Sequence, residues 1–124
     1  MVLAPETESR RDRDMSYWDL VNVRWQDGFE ICLHITPEID APEGFFASGD
    51  DAADADLVER IRSGDLMWFV ARVTVSKADI VLGDDYLGAC CYDSVEAFVA
   101  GDYYPDMIDA ALERAHDTLA RLAA

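Results

Sequence analysis

Two β-rich runs meet at Asp27-Gly28, and this junction restricts the fold more than any other part of the chain. The second run, Phe29 to Thr36, sets Phe29, Ile31, Leu33 and Ile35 against Glu30, Cys32, His34 and Thr36. That is the two-residue period of a half-buried strand. An Asp-Gly pair supplies the positive-φ positions of a tight hairpin turn, so Tyr17 to Trp25 is predicted to fold back on Phe29 to Thr36. A lone hairpin is marginal in water and needs further strands or a helix to close a core.

The rest of the chain supplies both. Pro37 ends the second strand, and the segment to Asp50 is loop by its prolines and glycines, with Phe45 and Phe46 predicted to tuck onto the core. A helix is predicted from about Asp50 to Arg62, with Asp50, Asp51, Asp54 and Asp56 at its positive end and Gly64 closing it. Met67, Phe69, Ala71, Val73 and Val75 then alternate with Trp68, Val70, Arg72 and Thr74, a long strand placed centrally in the sheet. Ile80 to Leu82 pairs back on it, and Tyr86 to Cys91 continues the same edge after a kink at Gly83. Glu96 stands three residues after Asp93 in capping-box spacing, which opens a short helix through Val99. Gly101 stops that helix, and Asp102 caps the last and longest one, whose first turn tolerates Pro105. The order β-β-α-β-β-α-α predicts an α+β domain: an antiparallel sheet of four or five strands, helices packed on one face, and a long C-terminal amphipathic helix. Residues 1–14, densely charged and without apolar period, are predicted to be a mobile leader to a single domain over 15–124, with Met15 an alternative start.

Charge narrows the function. Twenty-six acidic residues against ten basic ones give a net charge of −16, and Lys77 is the one lysine. Such a chain is not expected to bind DNA or an anionic membrane directly. Its self-repulsion has to be screened by salt or used by a basic partner. A hydrophobic content of 51% is ample for a buried core. Cys32, Cys90 and Cys91 are odd in number and lack a CxxC pair, which fits a reducing cytoplasm. The N-terminal residues carry no apolar run of signal-peptide length, and no run of about 18 apolar residues occurs anywhere. A cytoplasmic protein is expected.

Reaction chemistry finds little footing. Cys32 and His34 share one side of a strand, and Cys90 or Cys91 from a neighbour could join them as soft metal ligands or as a thiol–histidine pair. The turn motifs that usually present zinc ligands are missing, and an acidic field favours protonated thiols, so neither metal nor catalytic residues are expected. Gly83-Asp84-Asp85 and Gly88-Ala89-Cys90 lack the grammar of a phosphate loop. The aspartates of the 50–56 segment do not follow the order of an EF-hand. No cofactor is expected.

One feature points outward. Asp102, Asp106, Asp109, Glu113 and Asp117 are spaced four, three, four and four apart, and on a helix they form one negative stripe within about 80° of arc. Neighbouring carboxylates then stand roughly 5–6 Å apart along the axis, of the order of the phosphate spacing on a nucleic-acid strand. Ile108, Leu112, Ala115, Leu119 and Leu122 take the opposite side. Arg114 and Arg121 sit aside from the stripe, and Tyr103 and Tyr104 stand at its start as candidate interface anchors. Asp50, Asp51 and Asp54 are the second candidate patch. His116 reads as a surface histidine.

In size, charge and this stripe the chain resembles small acidic inhibitors that imitate DNA, such as the anti-CRISPR and anti-restriction proteins of phages and plasmids. The resemblance implies a non-enzymatic protein that covers the basic surface of a nucleic-acid-binding protein, with a homodimer left open. Two other readings share the composition: an immunity protein neutralising a nuclease toxin, and a small housekeeping domain whose acidity serves solvation in a halophile.

Overall fold

In the computed structural model, which describes residues 17–123, the chain forms a four-stranded antiparallel sheet and three helices, an α+β fold. The predicted leader and the alternative start at Met15 lie outside the described residues. Strand β1 (Asp19–Gln26) turns at Asp27-Gly28, with φ of 55° and 83°, into β2 (Phe29–Pro37). Helix α1 (Asp51–Ser63) follows, then β3 (Met67–Lys77), β4 (Ile80–Tyr92), α2 (Val95–Val99) and α3 (Tyr103–Ala123). The spatial order is β1-β2-β3-β4, so β3 is interior and β1 and β4 are edges.

The main core lies on one face of the sheet. Phe29, Ile31, Leu33 and Ile35 of β2 lie beside Phe69, Ala71, Val73 and Val75 of β3, and α3 closes this layer with Tyr104, Met107, Ile108, Ala111, Leu112 and Ala115. Phe98 of α2 fills the end of the layer, meeting Phe69 at 5.5 Å and Tyr92 at 5.1 Å between ring centroids. The opposite face carries Glu30, Cys32, His34 and Thr36, paired with Ser76, Thr74, Arg72 and Val70. Just ahead of β1, the Tyr17 carbonyl accepts the Thr36 hydroxyl at 2.8 Å, and Trp18 meets Tyr86 edge-on.

Several local expectations change. Strand β4 is continuous, and its register shifts beside Gly83, where a kink is predicted, and again between Leu87 and Cys90. What Gly83 provides is closeness, because a Cβ there would stand 2.3 Å from the Ala111 carbonyl oxygen and 2.6 Å from the Ala115 nitrogen. Glycine thus lets the backbone of α3 rest on the sheet. The cap of α2 is Ser94 and not Asp93: its hydroxyl accepts the Ala97 amide at 3.1 Å. Helix α1 buries no residue and so leaves the covering of the core to α2 and α3. Phe45 and Phe46 reach Trp68 and not the main core, at 5.4 and 6.0 Å between centroids. Leu122, expected on the apolar side, is 73% exposed, past the end of the buried layer. No described helix is long and apolar enough to cross a membrane.

Candidate functional site: the acidic face of α3

Helix α3 is amphipathic because the sheet needs a lid. Its apolar residues recur every three or four positions and seat on β3 and β4, which fixes the direction of everything between them. Arg114 then locks the rotation: its guanidinium donates to the Asp84 carbonyl and to the Asp85 carboxylate, the latter at 2.9 Å. Asp106, Asp109, Glu113 and Asp117 consequently point away from the sheet, all exposed, and Asp102 directly precedes the first turn, also exposed. None of the five forms an ion pair with a described cation.

The positive charges are spent elsewhere. Arg60 pairs with Asp93, Arg62 with Glu43, Arg72 with Asp84 and Arg114 with Asp85. Arg121 turns back to the Thr118 hydroxyl at 3.4 Å. Arg24 lies over the Tyr104 ring at 5.7 Å, and Lys77 over the Phe29 ring at the same distance. Among the described residues the stripe keeps its full charge, because four arginines answer acids of loops and of β4 while Arg121, Arg24 and Lys77 turn to a hydroxyl and two rings.

The two tyrosines at the start of α3 separate. Tyr103 is 57% exposed and closes one side of a shallow cleft of about 250 Å³ whose other wall is Leu87 to Tyr92. Tyr104 is not a surface anchor: it is 2% exposed and donates its hydroxyl to the Asn22 side-chain oxygen at 3.0 Å. The signal was present in the phase of the helix. At about 100° per residue Tyr104 lies roughly 160° from Asp106 and in step with Ile108, Ala111 and Ala115, whereas Tyr103 lies roughly 60° away. Burial pushes the Tyr104 phenol up, and Tyr92 is raised by burial first, with the Asp102 carboxylate among the smaller contributors.

The second acidic patch is built into local structure. Asp50 caps α1 by accepting the Ala53 amide at 3.1 Å, and the half-buried Asp54 accepts the Ser48 amide and hydroxyl at 3.2 and 2.7 Å. Asp51 is exposed in the same turn. These acids hold the loop that enters α1 and stand favourably at the helix dipole. They are therefore less available to a partner than the stripe.

Cys32, His34, Cys90 and Cys91 do not converge. Cys90 is 3% exposed in the covered layer opposite Phe69, while Cys32 and His34 lie on the other face and Cys91 sits near the far end of β3, opposite Trp68. Burial pushes the Cys90 thiol up to about 11, and burial and then Glu30 raise Cys32. Burial, and next to it Arg72, push the His34 imidazole down, and its Nδ1 is buried without a partner among the described residues. Thiols held protonated are poor nucleophiles. Among the described residues no three His, Cys, Asp or Glu side chains gather as metal ligands.

Sequence reasoning missed Glu38. Placed in a loop by its prolines, it in fact reaches across the sheet so that its carboxylate accepts the Ala89 amide at 2.8 Å and the Asp40 amide at 3.3 Å. Ala89 stands at φ 54° in the irregular stretch of β4 that this carboxylate holds. A contact between residues fifty-one apart leaves no local pattern to read. Comparison with protein-family models, curated proteins and solved structures finds no match to this chain.

Proposed function

We propose that the protein is a non-enzymatic binding protein that occupies the basic, nucleic-acid-binding surface of another protein, in the manner of an anti-CRISPR or anti-restriction DNA mimic. The observation that carries this reading is the row of Asp102, Asp106, Asp109, Glu113 and Asp117, none in an ion pair with a described cation, held outward on a helix whose other side is locked into the core. A fixed row of carboxylates meets Lys and Arg of a nucleic-acid groove without the ordering cost a flexible acidic tail would incur. Tyr103 adds apolar area at one end of the row. Three free cysteines suit the reducing cytoplasm where such a partner would act. An immunity protein against a nuclease toxin would use the same surface in the same way.

A second reading has its own support. Acids also stand exposed outside α3, at Asp19, Asp27, Asp56, Glu59, Asp65 and Asp79, as in a protein adapted to high salt. The two readings differ in what salt does to folding. A halophile domain unfolds as ionic strength drops to about 0.1 M, where repulsion is least screened; the mimic stays folded.

The test is displacement of a 20-bp duplex from a panel of purified CRISPR effector and restriction complexes, read by gel shift. The triple variant Asp106→Asn, Asp109→Asn, Glu113→Gln is compared with Asp56→Asn, Glu59→Gln, Asp65→Asn, an equal change of charge at other exposed acids. At about 0.5–1 kcal/mol for each lost charge contact, the first set weakens displacement roughly 10- to 100-fold and flattens its salt dependence, and the second changes it little. Equal loss from both sets shows that net charge alone matters, and no displacement from any complex refutes the reading.

A further inference from the structure

Among the described residues strand β1 is an edge of the sheet, and its exposed side chains are the wrong ones for a solvated edge. Leu20, Val23 and Trp25 are 55%, 46% and 70% exposed, and their pairing with His34, Cys32 and Glu30 puts all three on the face opposite α3. Natural edges are blunted by lysine, proline, short length, bulges or inward-pointing charges. Strand β1 has eight residues with neither lysine nor proline; its protection is one bulge between Leu20 and Asn22 and the charges Asp19 and Arg24, which leaves Leu20, Val23 and Trp25 unguarded on the other face.

Charge selects the occupant. In a chain of net charge −16, β1 carries one acid and one base, Asp19 and Arg24, near opposite ends. Both pair with core residues of β2, Ile35 and Ile31, so they share one side of the strand. An antiparallel partner of the same sequence would bring Asp19 of each copy toward Arg24 of the other, with Leu20, Val23 and Trp25 of both copies side by side on the other face. A parallel arrangement would set like charges together. We infer that β1 pairs antiparallel with β1 of a second copy, making a continuous eight-stranded sheet in a two-fold dimer. The two-fold axis runs perpendicular to the sheet, so both α3 helices lie on the same side. The dimer would therefore present two acidic stripes in one direction. The inference stands on β1 alone and does not need the proposed partner to exist.

Salt gives this interface a signature opposite to that of a basic partner. Two copies of like net charge repel, and the Debye length shortens from about 10 Å at 0.1 M salt to about 3 Å at 1 M, so dimerisation tightens as salt rises. Sedimentation equilibrium of the full chain should report a mass approaching twice 13.8 kDa, with a dissociation constant at least about tenfold lower at 1 M salt, or about 1.4 kcal/mol. Leu20→Ser with Trp25→Ser, neutral changes at exposed positions, should sediment as monomer at both salts with an unchanged circular-dichroism spectrum. Ile39→Ser, at a loop residue 94% exposed, should leave the dimer intact. Amide exchange over residues 19–26 should slow with protein concentration in the unaltered chain, which keeps the inference testable if the double variant fails to fold. A monomer at both salts, as expected if the strip serves a different protein, overturns the inference. So does a dimer that survives the double variant, or exchange over 19–26 that is independent of concentration.

Discussion

Replacing Gly83 with alanine tests the seat on which the acidic face depends. The new Cβ would lie 2.3 Å from the Ala111 carbonyl oxygen and 2.6 Å from the Ala115 nitrogen, both backbone atoms that no rotamer change can move. Ordinary contact needs about 3.4 Å, so α3 must lift by about 1 Å over one to two turns, and dispersion contacts fall off steeply over such a gap. The residues that lose contact are Ala111, Leu112 and Ala115 against Val73 and Val75, the middle of the core. Overpacking typically costs 1–3 kcal/mol, and a clash against two backbone atoms of α3 belongs at the top of that range, about 3 kcal/mol. Against a total stability of roughly 5–15 kcal/mol this is a large share, and it should lower Tm by about 10 °C for a domain of this size. Urea titration by circular dichroism measures it directly, with the slope of the transition unchanged. Gly88→Ala is the comparison: there the Cβ meets only the end of the Glu38 side chain, at 3.2 Å, and the cost should stay under about 1 kcal/mol. Gly83→Ala within about 0.5 kcal/mol of the unaltered protein would refute the close seat of α3.

Other expectations follow from the same geometry. Tyr104→Ala should cost about 3–5 kcal/mol in a urea titration, and Tyr103→Ala less than about 0.5 kcal/mol, since one ring is buried and its neighbour exposed; equal costs would contradict the separation of the pair. The β3–β4 turn holds Ala78 and Asp79 at φ of 51° and 65°, which asparagine and glycine adopt with less strain, so Ala78→Asn with Asp79→Gly should raise stability by about 1 kcal/mol in the same titration. With the Cys90 thiol pushed from 9.0 to about 11, the folded chain keeps this proton while the unfolded chain loses it, so stability is full below about pH 9 and falls by about 2–3 kcal/mol as pH rises to about 11. Cys90→Ala should remove that part of the alkaline loss in melts run across this range, whatever it costs at neutral pH.

The sequence by itself determined what repeats locally. Alternation wrote the strands, Asp27-Gly28 wrote the first turn, and the spacing of acids along residues 102–117 wrote an outward stripe, because each of these patterns is a period of two or 3.6 residues set by backbone geometry. The helix phase even held the fate of Tyr104, which residue type alone misassigned to the surface. What only the tertiary structure decided were matters between elements distant in the chain. Gly83 admits the backbone of a helix twenty-eight or more residues on, Glu38 holds an amide fifty-one residues away, and Arg114 finds Asp85 and not the stripe. Cys32 and Cys90 fall on opposite faces because strand parity, fixed by register, separates them. Whether a carboxylate is free or spent is likewise a question of which cation reaches it. That is settled by the packing of the sheet and α3, and no period in the sequence records it.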